Sequence, residues 1–221
     1  MEIDIFSDPI CPWCYIGKRR LERALKERPH YRPAIRWRAF QLNPDMPEEG
    51  MDRRQYLTTK FGDAERAGQL YENIRRVGAG EDIEFAFDKI KRTPNTVTAH
   101  RLIRFAGGTP RADAVIEALF QRYFVEGGDI GDADALIDLA AAAGLAREAV
   151  AAYLKSDEDV VAVRQEDFSA RRMGIQGVPC FIVNKQYALS GAQEPEAFFP
   201  ILDMAAQETS EPALGNWLRI G

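Results

Sequence analysis

Cys11-Pro12-Trp13-Cys14 follows the short apolar run Ile3-Asp4-Ile5-Phe6 and opens a segment, Tyr15 to Lys26, that reads as an amphipathic helix. Strand, then CxxC, then helix is redox architecture. Thiols at i and i+3 of a first helical turn share one face, so their sulfurs can close a disulfide without backbone rearrangement. Pro12 suits the first helical position, because its fixed φ matches the helix and its missing N–H has no partner there. Cys11 is then the expected N-cap, where a thiolate accepts orphan N–H groups and faces the positive end of the helix dipole. This makes Cys11 the candidate nucleophile. Cys14, one turn deeper and less favoured as a thiolate, suits a resolving thiol.

The same pair could be half of a zinc site, but zinc takes about four Cys, His or carboxylate ligands, usually from a second spaced pair. Cys180, His30 and His100 are scattered singly, so no metal centre is expected. The 221 residues suffice for one core with a large insertion, and a net charge of −5 argues against a nucleic-acid surface. Lys18-Arg19-Arg20 reads as a solvated helix face. The chain begins directly in its first strand, and no apolar stretch is long enough to span a bilayer; three cysteines fit a reducing compartment better than a secreted disulfide framework. A cytoplasmic protein without membrane or nucleic-acid partners is expected.

Ala34 to Phe40 alternates Ile35, Trp37 and Ala39 against Arg36 and Arg38, which is strand periodicity. Strand, helix, strand implies a parallel, right-handed βαβ unit. Gln41-Leu42-Asn43-Pro44 and Met46-Pro47 break the pattern, and nothing strand-like follows for over a hundred residues. Helices are expected over Gln55–Val77 and Asn95–Ala106, then from an N-cap pair Thr109-Pro110 to Gly127-Gly128. Further helices are expected over Asp132–Ala143 and Ala146–Leu154, with Gly144 between them, and from a capping-box-like Ser156-Asp157-Glu158-Asp159. Cys180 to Val183 and Tyr187 to Ser190 read as a hairpin turning at Asn184-Lys185-Gln186, followed by a helix from Pro195 to Gln207.

The Cys11–Cys14 motif and Gly177-Val178-Pro179 before a hairpin resemble the two signatures of the thioredoxin superfamily, and the long helical insert narrows the likeness to its DsbA-like branch. Ser7-Asp8-Pro9-Ile10, the run Trp37 to Pro44, Asn95-Thr96 with Ala99-His100-Arg101-Leu102, and Ser190-Gly191-Ala192-Gln193 are similar to cytoplasmic FrnE-type proteins. The resemblance covers nearly the whole chain. It implies an α/β thioredoxin-like fold, a central mixed sheet flanked by helices, in residues 1–44 and 157–221. Residues 45–156 would form a large all-helical insertion. It also implies a cis Pro179 packed against the cysteine pair, with the Val178 backbone free to pair with an extended substrate. His100 is a candidate proton shuttle, and Asn95 and Thr96 candidate pocket residues. Trp13 tunes the pair or offers apolar contact, and lacks the imidazole of a CPHC sequence, so a strongly oxidising potential is not expected. Cys180 reads as an inert strand thiol.

Three functions fit these residues. The first is a thiol-disulfide oxidoreductase or isomerase acting on protein, peptide or small-molecule disulfides. It would hold no tightly bound cofactor and be reset by glutathione or a thioredoxin system. The second resembles kappa-class glutathione transferases and 2-hydroxychromene-2-carboxylate isomerases, although both cysteines are retained here. The third is a binding or chaperone-like module using the groove between insert and sheet.

Overall fold

The computed structural model describes residues 1–62 and 64–210, with only the backbone of 64–67 and 208–210. Strand β1 (Glu2–Ser7) runs parallel to β2 (Ala34–Ala39), with α1 (Pro12–Glu27) as the crossover; Ile3 faces Ile35 and Ile5 faces Trp37. β5 (Cys180–Val183) lies antiparallel on the other side of β1, and β6 (Tyr187–Ser190) completes the order β2-β1-β5-β6. Asn184 and Lys185 both take positive φ at the β5–β6 turn, the backbone sign of a tight type I′ hairpin.

Strand alternation sorts the core. Ile3, Ile5, Phe181 and Val183 pack with Leu21 and Ala24 of α1 and with Phe198, Leu202 and Ala205 of the C-terminal segment. Phe6 and Cys180 point the other way, to Phe40, Ala170 and Ile175. The C-terminal segment starts as a 3-10 turn, Pro195–Phe198, before helix α9 (Phe199–Ser210). Residues 211–221, assigned above to the thioredoxin-like part, lie outside the described residues.

Between the halves of the sheet come α2 (Arg53–Phe61), α3 (Ala64–Ala79), α4 (Val97–Ala106), α5 (Ala112–Phe124), α6 (Ala133–Ala142) and α7 (Arg147–Lys155), then α8 (Val160–Arg172). Several boundaries correct the sequence reading. The single helix expected over Gln55–Val77 is two, ended at Gly62, whose φ of +84° few other residues adopt. Among the described residues the insert also holds a 3-10 turn, Phe87–Lys89, and a ribbon, β3 (Met51–Asp52) against β4 (Arg92–Thr93); two residues per strand leave no periodicity to read. Thr109 does not cap α5, whose N-cap is Arg111; its Oγ1 accepts from the Arg111 N–H in the preceding turn. α5 stops at Phe124, before Gly127-Gly128. The capping box before α8 does not form, because Asp159 turns its carboxylate to the Tyr153 hydroxyl and to Arg104.

α1 is buried on both sides. Its other face enters the main core, where Tyr15 stacks on Phe120 at 4.9 Å and Ile16 and Cys14 join Phe85, Leu102 and Phe124. The Tyr15 hydroxyl donates to Glu117 at 2.7 Å, and Lys18 pairs with Glu22, Asp113 and Glu117, so the basic cluster read as solvated is partly an internal ion-pair network. Arg20, also buried, pairs with Glu81 at 2.9 Å. These contacts clamp the helix carrying the cysteines between sheet and insert.

Candidate active site

At the end of β1 the chain turns through Asp8, whose carbonyl accepts from the Cys11 N–H at 2.9 Å, and α1 starts with Cys11 as N-cap and Pro12 in the first turn. Both cysteines are free, with Cys11 4% and Cys14 1% exposed, and Trp13 packs half-buried on the core. The Cys11 thiol bonds no helix N–H; it reaches the Val178 carbonyl at 3.6 Å. Burial, reinforced by Cys11 alongside, pushes the Cys14 thiol well above its ordinary pKa, while the Ser7 side chain and the Asp8 backbone pull it down. Cys14 is therefore held as a thiol.

The Val178–Pro179 peptide is cis. The Val178 carbonyl is already engaged by the Cys11 thiol, which leaves one of its two lone pairs for a further donor. Gly17, one turn below Cys14, explains how Pro179 comes so close: a Cβ there would lie 2.8 Å from Pro179 Cγ and 3.2 Å from Phe181 Cζ. The Pro179 carbonyl accepts from the Gly191 N–H at 2.8 Å, and Arg20 donates to the Ala192 carbonyl at 2.6 Å, which anchors residues 190–193 beside the site.

Beside the cysteines lies a cluster of buried polar side chains centred on Asp8, a residue that the sequence shows only within the run Ser7 to Ile10. Asp8 accepts from the backbone N–H of Leu42 at 2.7 Å and of Ile10 at 3.3 Å. Burial raises its carboxyl to about 7, against these bonds, Thr96 and the charge of Lys60. Thr96 belongs to this buried cluster and its hydroxyl accepts from the Gln41 side-chain amide at 3.4 Å. Asn95 works on the insert side, donating to the Met46 carbonyl at 2.6 Å and accepting from the Val97 N–H.

His100 sits with Nε2 3.8 Å from Asp8 Oδ1, without a partner for that nitrogen. Burial lowers its pKa to about 4, despite its contact with the Phe40 backbone and the charge of Asp167. Burial thus favours the neutral imidazole over the charged one. An acid three residues before the first cysteine, in an apolar stretch, was the signal that could have singled out Asp8.

Cys180 packs with Phe6 and Phe40 in a core cluster separate from that of Cys11 and Cys14, and burial raises its pKa. Among the described residues no group of three or more His, Cys, Asp or Glu could hold a metal ion, and no helix is long and apolar enough to cross a membrane.

The sequence profile of the DSBA-like thioredoxin domain matches residues 2–202. Among solved structures, the probable DsbA oxidoreductase SCO1869 of Streptomyces coelicolor is 32% identical, with a TM-score of 0.86 over 97% of this chain and 94% of that one. A 2-hydroxychromene-2-carboxylate isomerase is 18% identical with a TM-score of 0.68, covering 95% and 96%. The cytosolic disulfide reductase DsbM of Pseudomonas aeruginosa is 17% identical with a TM-score of 0.63, covering 94% and 100%. The last two show the fold alone.

Proposed function

The chain belongs to the DSBA-like thioredoxin-domain family, and from that premise we propose that it is a cytoplasmic dithiol oxidoreductase with Cys11 as nucleophile and Cys14 as resolving thiol. The observation that carries this reading is the Cys11 thiol at the head of α1, 3.6 Å from the carbonyl preceding Pro179, with Cys14 one turn below.

The Cys11 thiolate attacks one sulfur of a disulfide RS–SR′, forming Cys11–S–S–R and expelling R′S⁻. Cys14 then gives up its proton and attacks the Cys11 sulfur; RS⁻ leaves, and the Cys11–Cys14 disulfide holds the two electrons' worth of oxidation taken from the substrate. Burial first, and then Cys11 alongside, hold Cys14 as a thiol; forming the mixed disulfide removes the contribution of Cys11 but not that of burial, and Ser7 and the Asp8 backbone are the groups that favour the Cys14 anion as it attacks. Protein, peptide or small-molecule disulfides are the proposed substrates, a thiol such as glutathione or a thioredoxin system resets the pair, and Trp13, Val178 and Pro179 form the substrate-facing rim. Residues 45–156 roof the groove and select what enters.

Equilibration in glutathione redox buffers, followed by acid quench, alkylation and peptide mass, tests this. A reversible Cys11–Cys14 disulfide with Cys180 reduced is expected. Glutathione held without that disulfide would instead favour a glutathione-dependent isomerase or transferase, the reading kept open by the fold's likeness to the isomerase.

A further inference from the structure

β2 is an edge strand of the sheet, with β1 on one side only. The Ala34 N–H reaches the Met1 carbonyl and the Phe40 N–H the Ser7 carbonyl, both at 3.1 Å, so the even-numbered residues turn their backbone groups to β1. Alternation then points the N–H and C=O groups of Ile35, Trp37 and Ala39 outward. The Ala39 N–H ends on Glu166 at 2.9 Å. Among the described residues no strand, turn or side chain pairs with the outward groups of Ile35 and Trp37.

These groups face a groove of about 430 Å³. Residues 35–38 form one wall, and the end of α4, residues 107–109 and Ala112 of α5 form another, with Asp159 and Glu166 completing the lining. Gly108 leaves the far wall open: a Cβ there would meet nothing within 4 Å. Ile35, 41% exposed, and half-buried Trp37 present apolar surface on one face of the strand, near Ile103 and Ala112. On the other face Arg36 and Arg38 are held by Asp4 at 3.0 and 2.8 Å. Arg104 pairs with Asp159 at 3.3 Å, but its Nε is buried without an acceptor.

The charges lining the groove are therefore paired, and what stays open is backbone N–H, backbone C=O and one guanidinium N–H. That set matches a neutral extended backbone rather than a charged ligand. A second copy pairing through its own β2 would bring its own α4–α5 turn into the same space, so a lone segment fits better than a second sheet.

We propose that the outer edge of β2 docks an extended polypeptide segment, apolar at alternate positions, which adds a strand beside Ile35 and Trp37 and gives an acceptor to Arg104 Nε. Assigning that segment to a disulfide-bearing protein substrate rests on the dithiol reading above. Ala39 lies opposite Ser7, and Ser7 leads into the turn that carries Cys11, so the groove runs one strand away from the path to the thiol.

The probe is an end-blocked, cysteine-free peptide of alternating valine and threonine, added at millimolar concentration to the reduced full chain, with amide hydrogen exchange followed by NMR. The Ile35 and Trp37 amides should exchange fast in the free protein and about tenfold more slowly with peptide bound. A fully N-methylated copy keeps the side chains, loses every N–H and should bind about tenfold more weakly. Ile35→Pro removes one outward N–H without touching the β1 ladder and should weaken binding by a similar factor. It should also slow exchange with a disulfide-linked form of the peptide while leaving exchange with glutathione disulfide unchanged. No binding, unchanged exchange at these amides, or equal binding of the N-methylated copy would overturn the docking site. So would amides already slow in a free protein that sediments as a dimer, since a second copy would then hold the edge. Should Ile35→Pro fail to fold, the N-methylated copy on the wild type decides alone. Equal slowing of both disulfides would detach the groove from the substrate. A chain that exchanges with neither disulfide, yet still protects these amides with peptide bound, would defeat the dithiol reading and leave the docking site standing.

Discussion

Asp8→Asn turns the pH dependence of stability into a report on a single buried carboxyl. Asp8 titrates near 7 in the folded protein against 3.8 for the ordinary group, because burial outweighs its hydrogen bonds. The folded state therefore holds this proton more tightly than the unfolded chain. The stability associated with it is fully present below pH 3.8 and is lost as pH rises through 7. At about 1.4 kcal/mol per unit, the loss between pH 5 and pH 8 comes to about 3 kcal/mol. The amide keeps the shape but replaces one acceptor oxygen with a donor, and two N–H groups, of Leu42 and Ile10, need acceptors. Leaving one unpaired costs about 1–3 kcal/mol. Urea unfolding from pH 5 to pH 8 should thus find the wild type more stable at pH 5, with the gap closing or reversing by pH 8. His100, lowered to about 4, makes stability fall as pH drops below 6.5, and it lies 3.8 Å from Asp8, so the difference is read above pH 6.5, where the imidazole is mostly neutral in the folded and unfolded states of both proteins. A gap of constant size across the range would refute the buried-acid reasoning.

Cys11→Ser should abolish disulfide exchange, and Cys14→Ser should accumulate mixed disulfides on Cys11, both visible by intact mass; a Cys11→Ser variant turning over at the wild-type rate would end the mechanism. Gly17→Ala sets a clash with Pro179 costing about 1–3 kcal/mol against a helix-propensity gain of about 1 kcal/mol, so a drop of a few degrees in Tm and slower exchange are expected. An unchanged exchange rate would detach Gly17 from the site. Glu81→Ala leaves buried Arg20 with only exposed Glu194 and the Ala192 carbonyl, and should destabilise by about 3 kcal/mol in urea unfolding.

What the sequence determined alone is local. Pro12 after Cys11 sets the head of α1, the alternation of Ile35, Trp37 and Ala39 marks β2, and Asn184-Lys185 turns the hairpin, because each signal is written within a few consecutive residues. The βαβ order with its cysteine pair was enough to reach the fold. The tertiary structure decided the rest: Asp8 against His100, Gly17 beneath Pro179, and Arg20 on Glu81. Burial and pKa depend on which side chains meet across tens of residues, and no local period encodes that. His100 shows the difference: its residue type suggested a group titrating near neutrality, and its burial in the fold moves that titration down to about 4.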